Sequence, residues 1–369
     1  MGITVKTELL QTAAAKSAKG SGNQAVLALA TAVMIKSIGT SLVLTTTDNS
    51  ITLDVVINGV AKQEEPFVAC VNSGIFSKLI AKQTCENVVL SVTESSLHVS
   101  GDGEYNLPLL LDEEGEIAEI PHNKFTADKT ETVSVQDLKN MYAYGKISVS
   151  KYFDTPMYTG YCVSGGKVFT FDGSKSCVVD TPSCKFNALL PGKLVELFDL
   201  FDDKTVTLSI GTEGQLLFTG SDMILYGFGM EGFDQFPAQQ LMDLATSDKF
   251  TNYFAVNKVA FSSVADRLSL FVAEADQNEV QMRVMKDGVS FTNKETSAYE
   301  KLPFAKQETK VVETAVSVDL QDLKLFTGVC GEDYIKFSYT EGSPICMTAN
   351  NVQYIIPLLE EIEEEFEEE

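Results

Sequence analysis

The stretch VNSGIFSKLIAKQTCENVVLSV, residues 71–92, decides the fold because it recurs twice further along the chain. Phe76, Leu79 and Ile80 fall at helical spacing, and after an acidic turn Val88 to Val92 form an alternating strand. LPGKLVELFDLFDDKTVTLSI (190–210) repeats that plan with Leu194, Leu197 and Phe198 ahead of a strand from Val206 to Ile210. VSVDLQDLKLFTGVCGEDYIKFSY (316–339) repeats it again with Leu323 and Phe326 ahead of Ile335 to Tyr339. Val88 and Val206 stand 118 residues apart, Val206 and Ile335 129.

Working outward, the earlier half of each copy recurs too. LVLTTTD (42–48), KVFTFD (167–172) and GVSFTN (288–293) are strands reaching one kind of small polar turn, with Asp48, Asp172 and Asn293 at matching places. A longer helical stretch precedes each: Thr7 to Lys19, Val135 to Ser148 and Ala255 to Arg267. Three helix–strands–helix–strands units of about 120 residues therefore account for the chain up to its tail, each long enough to bury its own core. The polar stretches at 112–132 and 243–250 are the candidate boundaries, which predicts domains at 1–121, 122–246 and 247–359 with an acidic tail at 360–369.

The composition excludes several function classes. At 369 residues and 44% hydrophobic the chain reads as globular, and no stretch nears the roughly 18 apolar residues of a membrane span. MGITVKTELL lacks the order of a signal peptide, so export is not expected. The seven cysteines are scattered without C-x-x-C spacing and read as reduced thiols. With two histidines, His98 and His122, a metal site has few candidate ligands. No nucleophile elbow, phosphate-binding loop or zinc-protease helix is present, so no cofactor and no catalytic residue is expected.

The net charge of −24 argues against nucleic acid until the charges are placed. The six predicted helices, 6–19, 73–83, 135–148, 191–201, 255–267 and 318–328, carry eleven Lys and Arg against seven Asp and Glu, a net of +4 within a chain of −24. Such a split suggests one polyanion-facing surface and one repelling surface; lysine propensity for exposed helix positions explains it equally well.

The order and spacing of these elements resemble the β-type sliding clamps of bacterial and phage DNA polymerases. SLVLTTTDNSITLDVVI (41–57), GGKVFTFDGSKSCVV (165–179), GFDQFPAQQL (232–241) and QYIIPLL (353–359) carry the likeness, which covers residues 1 to about 359. It implies an α+β fold of three repeated clamp domains, two chains closing head to tail into a ring with helices lining the interior and antiparallel sheets on the rim. It also implies a cytoplasmic, non-enzymatic processivity factor of a bacterial or phage-infected cell, encircling double-stranded DNA without reading sequence. Lys16, Lys19, Lys78, Lys82, Lys139, Lys146, Lys193, Lys258 and Lys324 are then the DNA-facing candidates.

Family members hold the polymerase and the clamp loader through a short peptide motif in an apolar pocket. Carried over by position, that pocket comprises Tyr158, Phe171, Gly173, Ser174, Lys175, Ser176, Leu244, Ile355, Ile356, Pro357 and Leu358. The chain departs from the family at Phe171, usually Thr, and at Ser174-Lys175-Ser176, usually His-Arg-Leu, which reshapes the pocket. For the homodimer, GEYNLPLLL (103–111) marks Tyr105 and Leu107, and VADRLSL (264–270) marks Leu268 and Leu270 as the opposing contacts. An acidic DNA mimic is the competing reading; it accounts for the −24 but not for a triplicated unit with basic helices. The tail EEIEEEFEEE (360–369) runs past the usual family end. It reads either as a solvating segment or as one whose Ile362 and Phe366 fold back over the peptide pocket.

Overall fold

Asn72, Asn257 and Asp319 each end a strand and start a helix by accepting a hydrogen bond from a backbone N–H two or three residues ahead. A computed structural model describes residues 2–22, 28–60, 67–122, 125–246, 250–271, 278–293, 296, 298–305 and 309–359. Its helices are α1 (Thr7–Gly20), α2 (Ser73–Ile80), α3 (Val135–Gly145), α4 (Gly192–Glu196), α5 (Ala238–Ala245), α6 (Lys258–Leu268) and α7 (Leu320–Val329). With α5 set aside, the order strand, helix, four strands, helix, three strands occurs three times.

Helix positions follow the expected segments with physical adjustments. α3 tightens into a 3-10 turn at Lys146–Ser148, and α4 passes into one at Leu197–Leu200. The helix expected from Ala255 starts at Lys258, because Ala255 and Val256 belong to a strand that Asn257 ends by capping α6. α5 is not among the expected helices, and the boundary expected at 243–250 begins inside it. The tail lies outside the described residues.

The chain divides into two compact units, Met1–Gln136 with Lys193–Gly229 and Asp137–Gly192 with Met230–Glu369. The first holds a four-stranded sheet ordered Gly2–Lys6, Asn87–Val92, Ser96–Ser100, Glu104–Pro108. Its eight-stranded sheet runs Val68–Asn72, Ala32–Ile38, Ser41–Thr47, Thr52–Asn58, Met223–Phe228, Gln215–Thr219, Thr205–Gly211, Ala127–Ser134. α1 lies on Ser41–Thr47 and Thr52–Asn58 and beside α2. That close approach requires Gly20, where a Cβ would come within 2.5 Å of Thr46 Oγ1 and 2.8 Å of Leu53 Cβ.

The second unit holds an eight-stranded sheet ordered Ala188–Pro191, Gly160–Ser164, Lys167–Phe171, Ser176–Asp180, Val352–Ile356, Ile345–Ala349, Tyr334–Tyr339, Asn252–Asn257. Its four-stranded sheet runs Tyr299–Pro303, Gly288–Thr292, Glu279–Val284, Thr314–Asp319. Among the described residues every strand pair in both units is antiparallel, and each eight-stranded sheet is built from two four-stranded halves. The seam is Thr52–Asn58 against Met223–Phe228 in one and Ser176–Asp180 against Val352–Ile356 in the other.

Alternation places the core. Val88 and Leu90, Val206 and Leu208, and Ile335 and Phe337 are buried, as are Phe76, Ile80, Leu194, Leu197, Phe198, Leu323 and Phe326 on the helices. The three polar turns share their chemistry. Asp48 Oδ1 accepts from the Ser50 and Ile51 amides at 2.9 Å, and Asp172 Oδ1 from the Ser174 and Lys175 amides at 3.0 and 2.9 Å. Asn293 Oδ1 accepts from the Thr296 amide at 2.8 Å.

Candidate functional site

The strand Lys167–Phe171 ends in the turn that carries Phe171, and Tyr158 follows the short 3-10 start at Pro156. The two rings meet edge to face with centroids 4.9 Å apart, and Tyr158 makes a second edge contact with Phe236 at 6.1 Å. They sit over a buried floor that includes Phe169, Val178, Leu189, Leu241 and Ile355. Met157, Met230, Phe233, Met242 and Leu244 are among the other partly buried side chains packed against it. Partly buried aromatic and methionine side chains of this kind suit a surface that repacks around apolar partners.

Of the expected pocket residues, Tyr158, Phe171, Leu244 and Ile355 are brought together here. Ile356 is not: it is 1% exposed, and alternation along the strand turns it with Tyr354 to the opposite sheet face. There the Tyr354 ring stacks on Phe326 of α7 at 5.6 Å. Ser176 is buried within its strand, Pro357 and Leu358 are half-buried, and Gly173 and Ser174 are exposed in the turn. Gly173 adopts φ 105°, a conformation that favours glycine. Lys175 is committed elsewhere, donating to Asp322 and lying 3.6 Å from Asp172. Sequence reasoning missed Met157, Phe233, Phe236, Leu241 and Met242. Leu241, Met242 and Leu244 come from α5, whose apolar spacing within GFDQFPAQQLMDLA was the signal that could have found them.

The candidate lysines fall into separate classes. Lys19, Lys78, Lys82 and Lys146 are exposed, the last with its ammonium 5.2 Å from the Tyr142 ring centroid. Lys139 and Lys193 are half-buried. Lys16 is a correction: it is 9% exposed and bonded to Asp202 at 2.7 Å and Asp222 at 2.8 Å, so its charge is spent inside the fold. Burial lowers its pKa, but the two carboxylates outweigh that and hold it above the ordinary lysine value. Lys258 donates to the Cys330 carbonyl, and Lys324 is 3.0 Å from both Asp266 and Ser269 Oγ. The loop after α3 adds two aromatics that charge counting passes over, Tyr152 and Phe153, 76% and 78% exposed.

The two four-stranded sheets each end in an edge strand, Glu104–Pro108 and Tyr299–Pro303. Tyr105 on the first is exposed, while Leu107 faces the core at 8% exposure. Beside the second, α6 packs against the strand and Arg267 pairs with Glu300 at 2.6 Å. Leu268 is buried at 1% and so offers no side chain to a partner, whereas Leu270 and the unforeseen Phe271 are 80% and 52% exposed. No cysteine is paired, and burial raises the Cys70 thiol to about 11 and the Cys162 thiol to about 12, which keeps those two protonated at neutral pH.

No family model matches the chain, and no curated protein sequence matches it. Solved structures do match. The DNA polymerase sliding clamp from Bacillus subtilis aligns at a TM-score of 0.81 and 20% identity, covering 98% of this chain and 99% of that one. The DNA polymerase III subunit beta from Pseudomonas aeruginosa aligns at 0.82 and 15%, covering 97% and 100%. A sliding clamp from Bartonella birtlesii, solved bound to griselimycin, aligns at 0.81 and 18%, covering 98% and 99%. Over nearly its whole length, therefore, this chain has the fold of the bacterial DNA polymerase sliding clamps.

Proposed function

We propose that the protein is a DNA sliding clamp, a non-enzymatic ring of two chains that encircles duplex DNA and tethers the replicative polymerase and other replication or repair proteins. The whole-length likeness to clamp structures carries this reading. Three clamp domains, at 1–121, 122–246 and 247–359, correspond to the threefold repeat of elements. The exposed lysines Lys19, Lys78, Lys82 and Lys146 supply phosphate contacts without a base-reading geometry, which lets a protein hold DNA and still slide.

Ring closure follows from the seams within each chain. In both, the fourth strand of one repeat pairs with the eighth strand of the next. The strands left over are Tyr299–Pro303, the fourth of the third repeat, and Glu104–Pro108, the eighth of the first. Pairing them between two copies makes the same joint and turns two four-stranded sheets into an eight-stranded one like the two within each chain. Tyr105 on one chain and Leu270 and Phe271 on the other then provide the apolar contact.

The apolar cluster around Tyr158 and Phe171 is the docking place for a short peptide from the polymerase and the clamp loader. The aromatic at Phe171 narrows it relative to the usual family pocket. That the Bartonella birtlesii clamp takes griselimycin supports a ligand-binding surface in this fold.

The test is topological. The protein is loaded onto nicked circular DNA with a bacterial clamp loader and ATP, and the circle is then cut. A clamp stays on the circle and leaves through the cut ends; retention on linear DNA with free ends would overturn the mechanism.

A further inference from the structure

The two seams inside the chain share one register. Leu53, Cys177 and Glu300 hold one place in the fourth strands, opposite the residue two before the turn positions Asp48, Asp172 and Asn293. Tyr105, Leu225 and Tyr354 hold one place in the eighth strands, two ladders across from Leu90, Leu208 and Phe337. At the seams those places meet: Leu53 lies opposite Leu225, and Cys177 opposite Tyr354. The same register applied to the two remaining edges sets Glu300 opposite Tyr105 and, one residue further, Lys301 opposite Glu104.

The chemistry at this third joint is different. Leu53, Leu225, Cys177 and Tyr354 are all 0% exposed on the helix-covered face of their sheets. Alternation puts Glu300 on the face of buried Leu302, and Tyr105 on that of buried Leu107, so a carboxylate and a phenol stand where each seam has an apolar pair. Arg267 of α6 already donates to the two Glu300 oxygens at 2.6 and 3.0 Å. On the other face Lys301 and Glu104 are exposed and of opposite charge. Their present contacts are local: Lys301 with Asp287 at 2.8 Å, and Glu104 with His98 at 2.6 Å and Ser100 at 2.9 Å. Opposite charges directly across a ladder stabilise it, and like charges destabilise it.

We propose that two copies join in this register, with Lys301 of one opposite Glu104 of the next and Glu300 opposite Tyr105. The joint between copies is then held at its centre by charge, where the two inside the chain are held by apolar burial. Salt therefore parts the copies and leaves each folded. The proposal rests on the ring reading of the function and adds which residues meet and what opens the joint.

The register is tested in the full chain by Glu104→Cys with Lys301→Cys, oxidised with diamide and run on a non-reducing gel. Directly opposed Cα atoms lie about 4.5–5.5 Å apart, within disulfide reach. A band at twice 40.2 kDa is expected, absent from each single variant and from the shifted pair Asn106→Cys with Lys301→Cys. The charge is tested by sedimentation. Lys301→Glu should weaken the parent dimer about tenfold, as should raising salt from 100 to 500 mM, and adding Glu104→Lys should restore it. A dimer that links only through the shifted pair, fails to link through the aligned one, or is indifferent to Lys301→Glu overturns the proposal and leaves the ring reading standing. A parent protein monomeric at micromolar concentration overturns both.

Discussion

Lys175 donates its ammonium proton to the carboxylate of Asp322, a residue only 7% exposed on the first turn of α7. The contact ties the turn beside the apolar cluster at Phe171 to a helix 147 residues away in sequence. Replacing Lys175 with Ala leaves that carboxylate buried without its partner. We expect a loss of about 2–3 kcal/mol, at the lower edge of the range for broken buried pairs because the lysine keeps some contact with solvent. Burial lowers the Lys175 pKa, yet Asp322 and Asp172 raise it further, so its folded value lies above 10.5. A raised pKa contributes stability that is fully present below the unfolded value, so the loss should be the same at pH 6 and pH 9. Urea denaturation at both values checks it, and a change under about 0.5 kcal/mol would refute the burial argument.

Tyr354 is fully buried, stacked on Phe326, and its hydroxyl has no hydrogen-bond partner among the described residues. Tyr354→Phe keeps the stacked ring and removes an unsatisfied polar group. Stability should hold or rise by about 1 kcal/mol, whereas Tyr354→Leu should cost at least that much through lost stacking and volume. A thermal melt of both variants decides it; a destabilised Phe variant would show that the hydroxyl has a partner.

His122 lies between the strand Glu104–Pro108 and the strand Ala127–Ser134, and it meets Asp54 at 2.9 Å. The Asp54 carboxylate raises its pKa above 6.5, against burial and Lys36, with Glu119 adding to the rise. The pair therefore stabilises the fold below about pH 6.5 and fades as pH climbs through the raised value. His122→Gln should lower the melting temperature at pH 5.5 and match the parent at pH 8.5. An equal gap at both pH values would mean the imidazole acts by packing and not by charge.

Leu270 and Phe271 are exposed at the end of α6 beside an open sheet edge. Under the proposed ring, replacing both with Asp should convert a particle of about twice 40.2 kDa into one of about 40 kDa by light scattering, with the melting temperature little changed. A parent protein that is already monomeric at micromolar concentration would count against closure through these edges.

Periodicity made the repeat readable because it is local: Phe76 with Ile80 and Leu194 with Phe198 lie one turn apart, and Asp48, Asp172 and Asn293 serve turns only two or three residues long. The apolar cluster was readable in part. Phe171, Tyr158, Leu244 and Ile355 were expected together from the family likeness, but α5 was not among the expected helices, so Leu241 and Met242 were not placed with them.

By itself, then, the sequence determined the repeated helices and strands to within a few residues, α5 excepted, their threefold order, and many of the side chains that turn inward, since each depends on neighbours within a few positions. Only the tertiary structure decided which charges are free and which surfaces are open. Lys16 and Lys19 sit three apart on one helix, yet Lys16 is spent on Asp202, 186 residues away, while Lys19 stays exposed. Leu268 and Leu270 are two residues apart, and the end of α6 buries one and exposes the other. Such distinctions arise from partners brought together by strand pairing and helix packing, and no local pattern encodes a partner that distant in the chain.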